Sequence, residues 1–149
     1  MADLALSFIK EQSLLFFDVS TLMLEVSQKL TKNVTVYSHS LDNALVLSGK
    51  EGIDFHLLGG KFYTKNRFYY SIHEAQILQH LQFDLAFFGV ASLSQGLVSF
   101  EDKEDVAVKQ LELRYLLLNL TNMKSIPNIS WVNLRTLTIG LQIRILSLI

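Results

Sequence analysis

The sequence predicts an α/β fold, a mostly parallel sheet flanked by helices, and three observations carry that prediction. First, short apolar runs of strand length alternate with helix-length segments along the first half of the 149 residues. Second, each run stops in small, hydroxylated or glycine residues: Phe16-Phe17-Asp18-Val19-Ser20-Thr21, then Val34-Thr35-Val36-Tyr37-Ser38-His39-Ser40, then Phe55-His56-Leu57-Leu58-Gly59-Gly60-Lys61. Third, Ser20, Thr21 and Ser40 are helix-capping residue types, placed where the next helical segment starts. Strands that empty into such residues make a row of loops on one edge of a parallel sheet. That edge is where open α/β folds bind ligands, and helix N-termini there favour anions. The chain therefore reads first as a pocket for a phosphate-bearing ligand.

Each element follows in order. Leu4, Leu6, Phe8 and Ile9 with Lys10-Glu11 suggest a short N-terminal helix that begins without a cap, as if cut from a longer segment. Leu14 to Phe17 is continuously apolar, hence a buried strand. A helix through Leu30 follows, with Leu22, Leu24, Val26 and Leu30 as its core face. Val34 to Tyr37 is β-branched and forms the second strand. Leu41 to Leu47 is a helix ending near Gly49, and Ile53 to Leu58 is the third strand. Lys61 to Tyr70, aromatic and basic, reads as an irregular excursion. Ile72 to Leu81 is helical, Phe83 to Phe88 a fourth strand, and Gly89 to Ser99 a loop. Glu101 to Leu113 is a charged helix whose leading acids suit the macrodipole, Tyr115 to Leu118 a fifth strand, and Leu137 to Ile139 a sixth after the break at Pro127. No internal repeat or linker is visible, so residues 1–149 are expected to form a single domain.

Composition narrows the function classes. The chain is 50% apolar and 18% charged, which excludes disorder, and it is long enough to bury roughly 70% of its unfolded surface. With no cysteine there is neither a disulfide framework nor a thiolate metal site, in keeping with a cytoplasmic location. Met1-Ala2-Asp3 opens no signal peptide, and no apolar run approaches the ~20 residues of a membrane span. A formal charge of −1 without a dense basic block argues against DNA binding by this segment itself. His56, His73 and His80 share no ligand spacing, so no metal site is expected. Between Leu113 and Ile149 there is no acidic residue, and the last residues are mostly Leu and Ile, suited to covering a sheet edge or a partner.

The loops, in their order, resemble the C-terminal effector-sensing domain of DeoR-type bacterial transcription regulators. Asp18-Val19-Ser20-Thr21 stands for that family's aspartate with small and threonine residues after the first strand, and Ser38-His39-Ser40 for its Thr-Asn-Ser loop. Leu57-Leu58-Gly59-Gly60-Lys61 matches its third motif without change. Phe83-Asp84 before an apolar strand ending in Gly89, then Gly96-Leu97 and Val108-Lys109, complete the series, over about Leu4 to Leu118. The resemblance implies a ribose-phosphate isomerase or CoA-transferase-like fold, a helix-turn-helix module N-terminal to this segment, and a homo-oligomer that reads a sugar phosphate. The chain departs from the family at Ala91 for an aspartate, Ser20 for a glycine, Leu22 for a threonine and His39 for an asparagine. It departs again near Ser71 for a glycine and near Asn119 and Asn122 for an Asp and a Lys.

The candidate ligand-binding residues are Asp18, Ser20, Thr21, Ser38, His39, Ser40, Gly59, Gly60, Lys61 and Lys109. Asp18 can accept sugar hydroxyls or cap a helix; Ser20, Thr21, Ser38 and Ser40 can meet a phosphate or serve as caps. His39 can donate to an anion or be structural. Gly59 and Gly60 allow close backbone approach or a tight turn. Lys61 offers a point charge for phosphate or a solvated side chain. Lys109 lines the pocket only by family position. The aromatic and basic stretch 61–70 suits a lid or a subunit contact better than a nucleic-acid surface. Three functions compete: a sensor of a phosphorylated metabolite acting on DNA through another module, a ligand-free oligomerisation domain, and a sugar-phosphate isomerase. The isomerase lacks its expected carboxylate at Ala91. No cofactor is called for.

Overall fold

A computed structural model of the chain describes residues 2–78, 80–87, 92–94 and 97–99. Its centre is a parallel sheet built from β1 (Leu14–Phe17), β2 (Val34–Ser38), β3 (Ile53–Leu57) and β6 (Leu85–Phe87), in the order β3-β2-β1-β6. Register is continuous: Leu14 pairs with Thr35, Leu15 with Leu85, and Val34 with Ile53. The chain steps outward from β1 to β2 to β3, then returns to place β6 on the other side of β1. The strand order thus reverses at β1, and all four strands end on one edge.

Helices cover both faces. On one side lie α1 (Ala2–Phe8), α2 (Thr21–Lys29) and α3 (Leu41–Leu47). There Leu15 and Phe17 of β1, Val34 and Val36 of β2 and Phe87 of β6 pack on Ala2, Ala5, Leu22, Met23, Val26 and Leu47. On the other side Phe16 and Ala86 meet Leu58, Phe83 and Leu78, the last from α4 (Ile72–Leu78). Successive side chains of β1 point to opposite faces, and both faces are covered, which explains its unbroken apolar run. The buried face of α2 holds Leu22, Met23, Val26 and Ser27, with Leu30 just beyond. Met23, rather than the expected Leu24, is buried, because the helix turns 100° per residue and Leu24 falls toward the flank.

Four expectations need correction. Lys61 to Tyr70 is a β-hairpin, β4 (Lys61–Tyr63) with β5 (Phe68–Tyr70), not an irregular excursion. Its aromatics pair across the strands: Tyr63 stacks on Phe68 at 4.9 Å and Phe62 meets Tyr69 at 4.9 Å. The stretch read as one loop contains a second antiparallel pair, β7 (Ser92–Ser94) and β8 (Leu97–Ser99). The helix from Ile72 is described to Leu78, with His80 and Leu81 outside it, and the fourth strand begins at Leu85 rather than Phe83 and is described to Phe87. The helix expected over 101–113, the strands expected over 115–118 and 137–139, and the positions Ala91 and Lys109 lie outside the described residues.

Candidate functional site

The parallel arrangement brings the ends of β1, β2 and β3 to one edge, and with them the three loops singled out in the sequence. The loop after β1 sits at the reversal of strand order, where Asp18 N–H donates to Phe87 O at 3.0 Å. The loop after β2 is tied to its neighbours: Leu58 N–H donates to Ser38 O at 2.9 Å, and Tyr69 N–H to His39 O at 2.9 Å. The hairpin β4–β5 therefore lies against the second loop, reinforced by Leu41 N–H to Arg67 O and by Arg67 Nε on Asp42 Oδ1 at 2.9 Å.

The serines hold backbone in place. Ser20 Oγ accepts from Met23 N–H at 3.1 Å and caps α2, while Ser40 Oγ accepts from Asn43 N–H at 3.2 Å and caps α3. Ser38 is buried; its hydroxyl donates to Phe17 O at 2.7 Å and accepts from Ser40 N–H. Asn43 completes this layer, donating to Ser38 Oγ at 3.2 Å and accepting from Ser27 Oγ at 3.1 Å. The exposed part of the rim is Thr21, Gly59, Gly60 and Lys61. Gly60 adopts φ +140, and a Cβ there would stand 2.3 Å from Tyr70 O, so glycine is required for the chain to pass the hairpin. Around Gly59 nothing lies within 4 Å of a built Cβ. Lys61 Nζ rests 5.2 Å from the centre of the Tyr63 ring.

The centre of the arrangement is charged and buried. His39 Nε2 lies 3.2 Å from Asp18 Oδ1, and Nδ1 lies 3.1 Å from Glu74 Oε1. All three side chains are 1% exposed or less. The ring edge-packs on Phe16 at 5.8 Å and meets Phe68 of the hairpin at 5.5 Å. Each carboxylate–imidazole contact holds one proton, and a ring nitrogen so engaged offers no lone pair to a metal ion. Asp18 Oδ1 also accepts from Val19 N–H at 2.6 Å, fixing the start of the first loop. The one buried side-chain polar atom without a hydrogen-bond partner among the described residues is Glu74 Oε2.

Asp18, Ser38, His39 and Ser40 thus converge in one buried network, Ser20 borders it, and Thr21, Gly59, Gly60 and Lys61 line the solvent side. Sequence reading missed Glu74 and Asn43. Ser71-Ile72-His73-Glu74 has the form of a capping box, and Glu74 N–H does donate to Ser71 Oγ at 3.3 Å. That signal locates a helix start but points the carboxylate back at its own helix, whereas the fold delivers it to His39.

The comparisons agree with this architecture. The family model described as the DeoR C terminal sensor domain matches residues 1–114. The HTH-type transcriptional repressor GlcR of Bacillus subtilis (strain 168) is 34% identical over 108 residues, which cover 72% of this chain and 42% of that repressor. The chain thus spans less than half the length of the relative it matches. The parallel sheet, the loops at its edge and the family match over most of the sequence together establish that this chain belongs to the DeoR C-terminal sensor domain family.

Proposed function

We propose that this domain senses a phosphorylated sugar or a related metabolite, and that a homo-oligomer in the cytoplasm passes the binding event to a DNA-binding module. The observation that carries this reading is that the loops after β1, β2 and β3 all lie on one edge of the parallel sheet, the first of them where the strand order reverses, which is the place open α/β sheets use for ligands. The first turn of α2 has N–H groups without helical acceptors, next to Ser20 and Thr21, and suits the phosphate. Gly59, Gly60 and Lys61 form the exposed rim that would meet the same charge, with Lys109 as a further contact. Asp18 and His39 supply the polar floor, while Ser38 and Ser40 hold the second loop in position. The role is binding, not turnover: the residues of the network hold one another, and regulation requires only that the effector favour one of two states. The relative's name, a transcriptional repressor of the HTH type, supports the DNA-bound output.

Isothermal titration of the 149-residue chain with a panel of sugar phosphates tests the reading. Saturable binding tighter than that of inorganic phosphate is expected, with a rise in Tm; a flat response across the panel overturns it. The second reading, a ligand-free oligomerisation domain, is favoured by one observation: Asp18, Ser38, His39 and Ser40 are all bonded to the protein itself. It predicts a stable oligomer with no ligand response.

A further inference from the structure

Glu74 sits in the first turn of α4, in a segment of the sequence outside the family motifs. It is 1% exposed, and Oε1 is engaged by His39 while Oε2 meets no donor among the described residues. A buried carboxylate oxygen left without a donor is costly to the folded state, and in a native protein such an atom calls for a functional reason or a partner from outside the chain. Its chemistry is also one-sided. With His39 Nδ1–H donating to Oε1, the ionised carboxylate leaves Oε2 as an acceptor without a donor among the described residues. The oxygens of a phosphate dianion, themselves acceptors, have nothing to offer it.

The geometry points to Glu74 Oε2 as the acceptor for one hydroxyl of the effector's sugar moiety, held in place by the Asp18–His39–Glu74 chain, with the phosphate turned away toward the first turn of α2 and the exposed rim. This inference rests on the phosphorylated-sugar reading above and adds to it the residue that tells one sugar from another. It also gives His39 its task. The imidazole pins Oε1, so the carboxylate presents Oε2 in one orientation. The segment across the imidazole is the β4–β5 hairpin, through Phe68. The hairpin is held to the second loop by Tyr69 N–H on His39 O, Leu41 N–H on Arg67 O and the exposed Arg67–Asp42 pair. A hydroxyl bound to a charged acceptor is discriminated strongly, because removing it leaves that acceptor buried and bare.

The test is a coupling cycle between protein and ligand. Dissociation constants are measured by calorimetry for a hexose 6-phosphate, its monodeoxy analogues and inorganic phosphate, on the unmodified chain, Glu74→Leu and Glu74→Gln. On the unmodified chain one monodeoxy analogue should lose about tenfold or more in affinity. In Glu74→Leu the same hydroxyl should cease to matter, while inorganic phosphate binds as before. Should Glu74→Leu fail to fold, Glu74→Gln serves: it removes the charge with little change of shape, and the deoxy penalty must shrink. Sugar phosphates that bind with an identical deoxy profile in all three proteins overturn the role of Glu74 alone. Absence of any binding to the unmodified chain overturns the sensor reading itself, and this inference with it.

Discussion

At the scale of single residues, two adjacent glycines have opposite roles. Gly60 combines φ +140 with a backbone oxygen 2.3 Å from where a Cβ would be, whereas Gly59 faces open space. Gly60→Ala should cost about 1–3 kcal/mol in denaturant unfolding, and Gly59→Ala should stay within about 0.5 kcal/mol of the unmodified protein. The pair was visible in the sequence as Gly-Gly after a strand, but which of the two the backbone needs depends on Tyr70, which lies across the hairpin. His39 shows the same limit. As a letter in the sequence it is an isolated histidine, with anion donor and structural residue as its two readings and the structural one favoured. Only the fold sets Asp18 and Glu74 on its two nitrogens. His39→Ala leaves two buried carboxylates without their shared partner and should cost about 3–5 kcal/mol, read from urea midpoints at constant slope.

At the scale of elements, local rules were sufficient where the chain could satisfy itself locally. Ser20 and Ser40 cap α2 and α3 as their residue types and positions indicated. Ser20→Ala and Ser40→Ala should each cost about 1 kcal/mol, with the Ser20→Gly substitution at about half that or less. Lys50, by contrast, gave no sequence signal, yet its Nζ donates to Ser27 O, Gln28 O and Leu30 O and closes the end of α2 from a different element. The hairpin was missed for a related reason. Its strands are three residues each and aromatic on successive positions, so no alternation marks an inner face. It forms because Tyr69 and Arg67 bond to the loop after β2 and because its aromatics stack on each other.

At the scale of the whole molecule, the Asp18–His39–Glu74 chain and the Asn43–Ser38 bond join the loop after β1, the loop after β2 and the start of α4. Asn43→Leu should cost about 1–3 kcal/mol, since it strips the donor from Ser38 Oγ and the acceptor from Ser27. An effector seated among these loops must stabilise the fold in proportion to its occupancy. At a hundredfold excess over Kd the gain is about 2.7 kcal/mol, readable as a ligand-dependent Tm. The same logic makes ligand binding and loop order report on each other: hydrogen exchange at Tyr69 N–H, which donates to His39 O, should slow when the effector binds.

The sequence by itself determined the alternation of strands and helices, the caps, and the edge on which the loops lie, because periodicity, capping and strand polarity are local and are written in neighbouring residues. The family, too, was legible there, since five short motifs keep their order along the chain. What only the tertiary structure decided is which of those residues face solvent and which are consumed by the protein itself, together with Glu74 and Asn43 as members of the network. Those contacts span separations of 35 residues for His39 and Glu74 and 21 for Asp18 and His39. No local pattern encodes a partner at that distance; it is set by the return of the chain across β1 and by the burial that forces each polar group to find a partner.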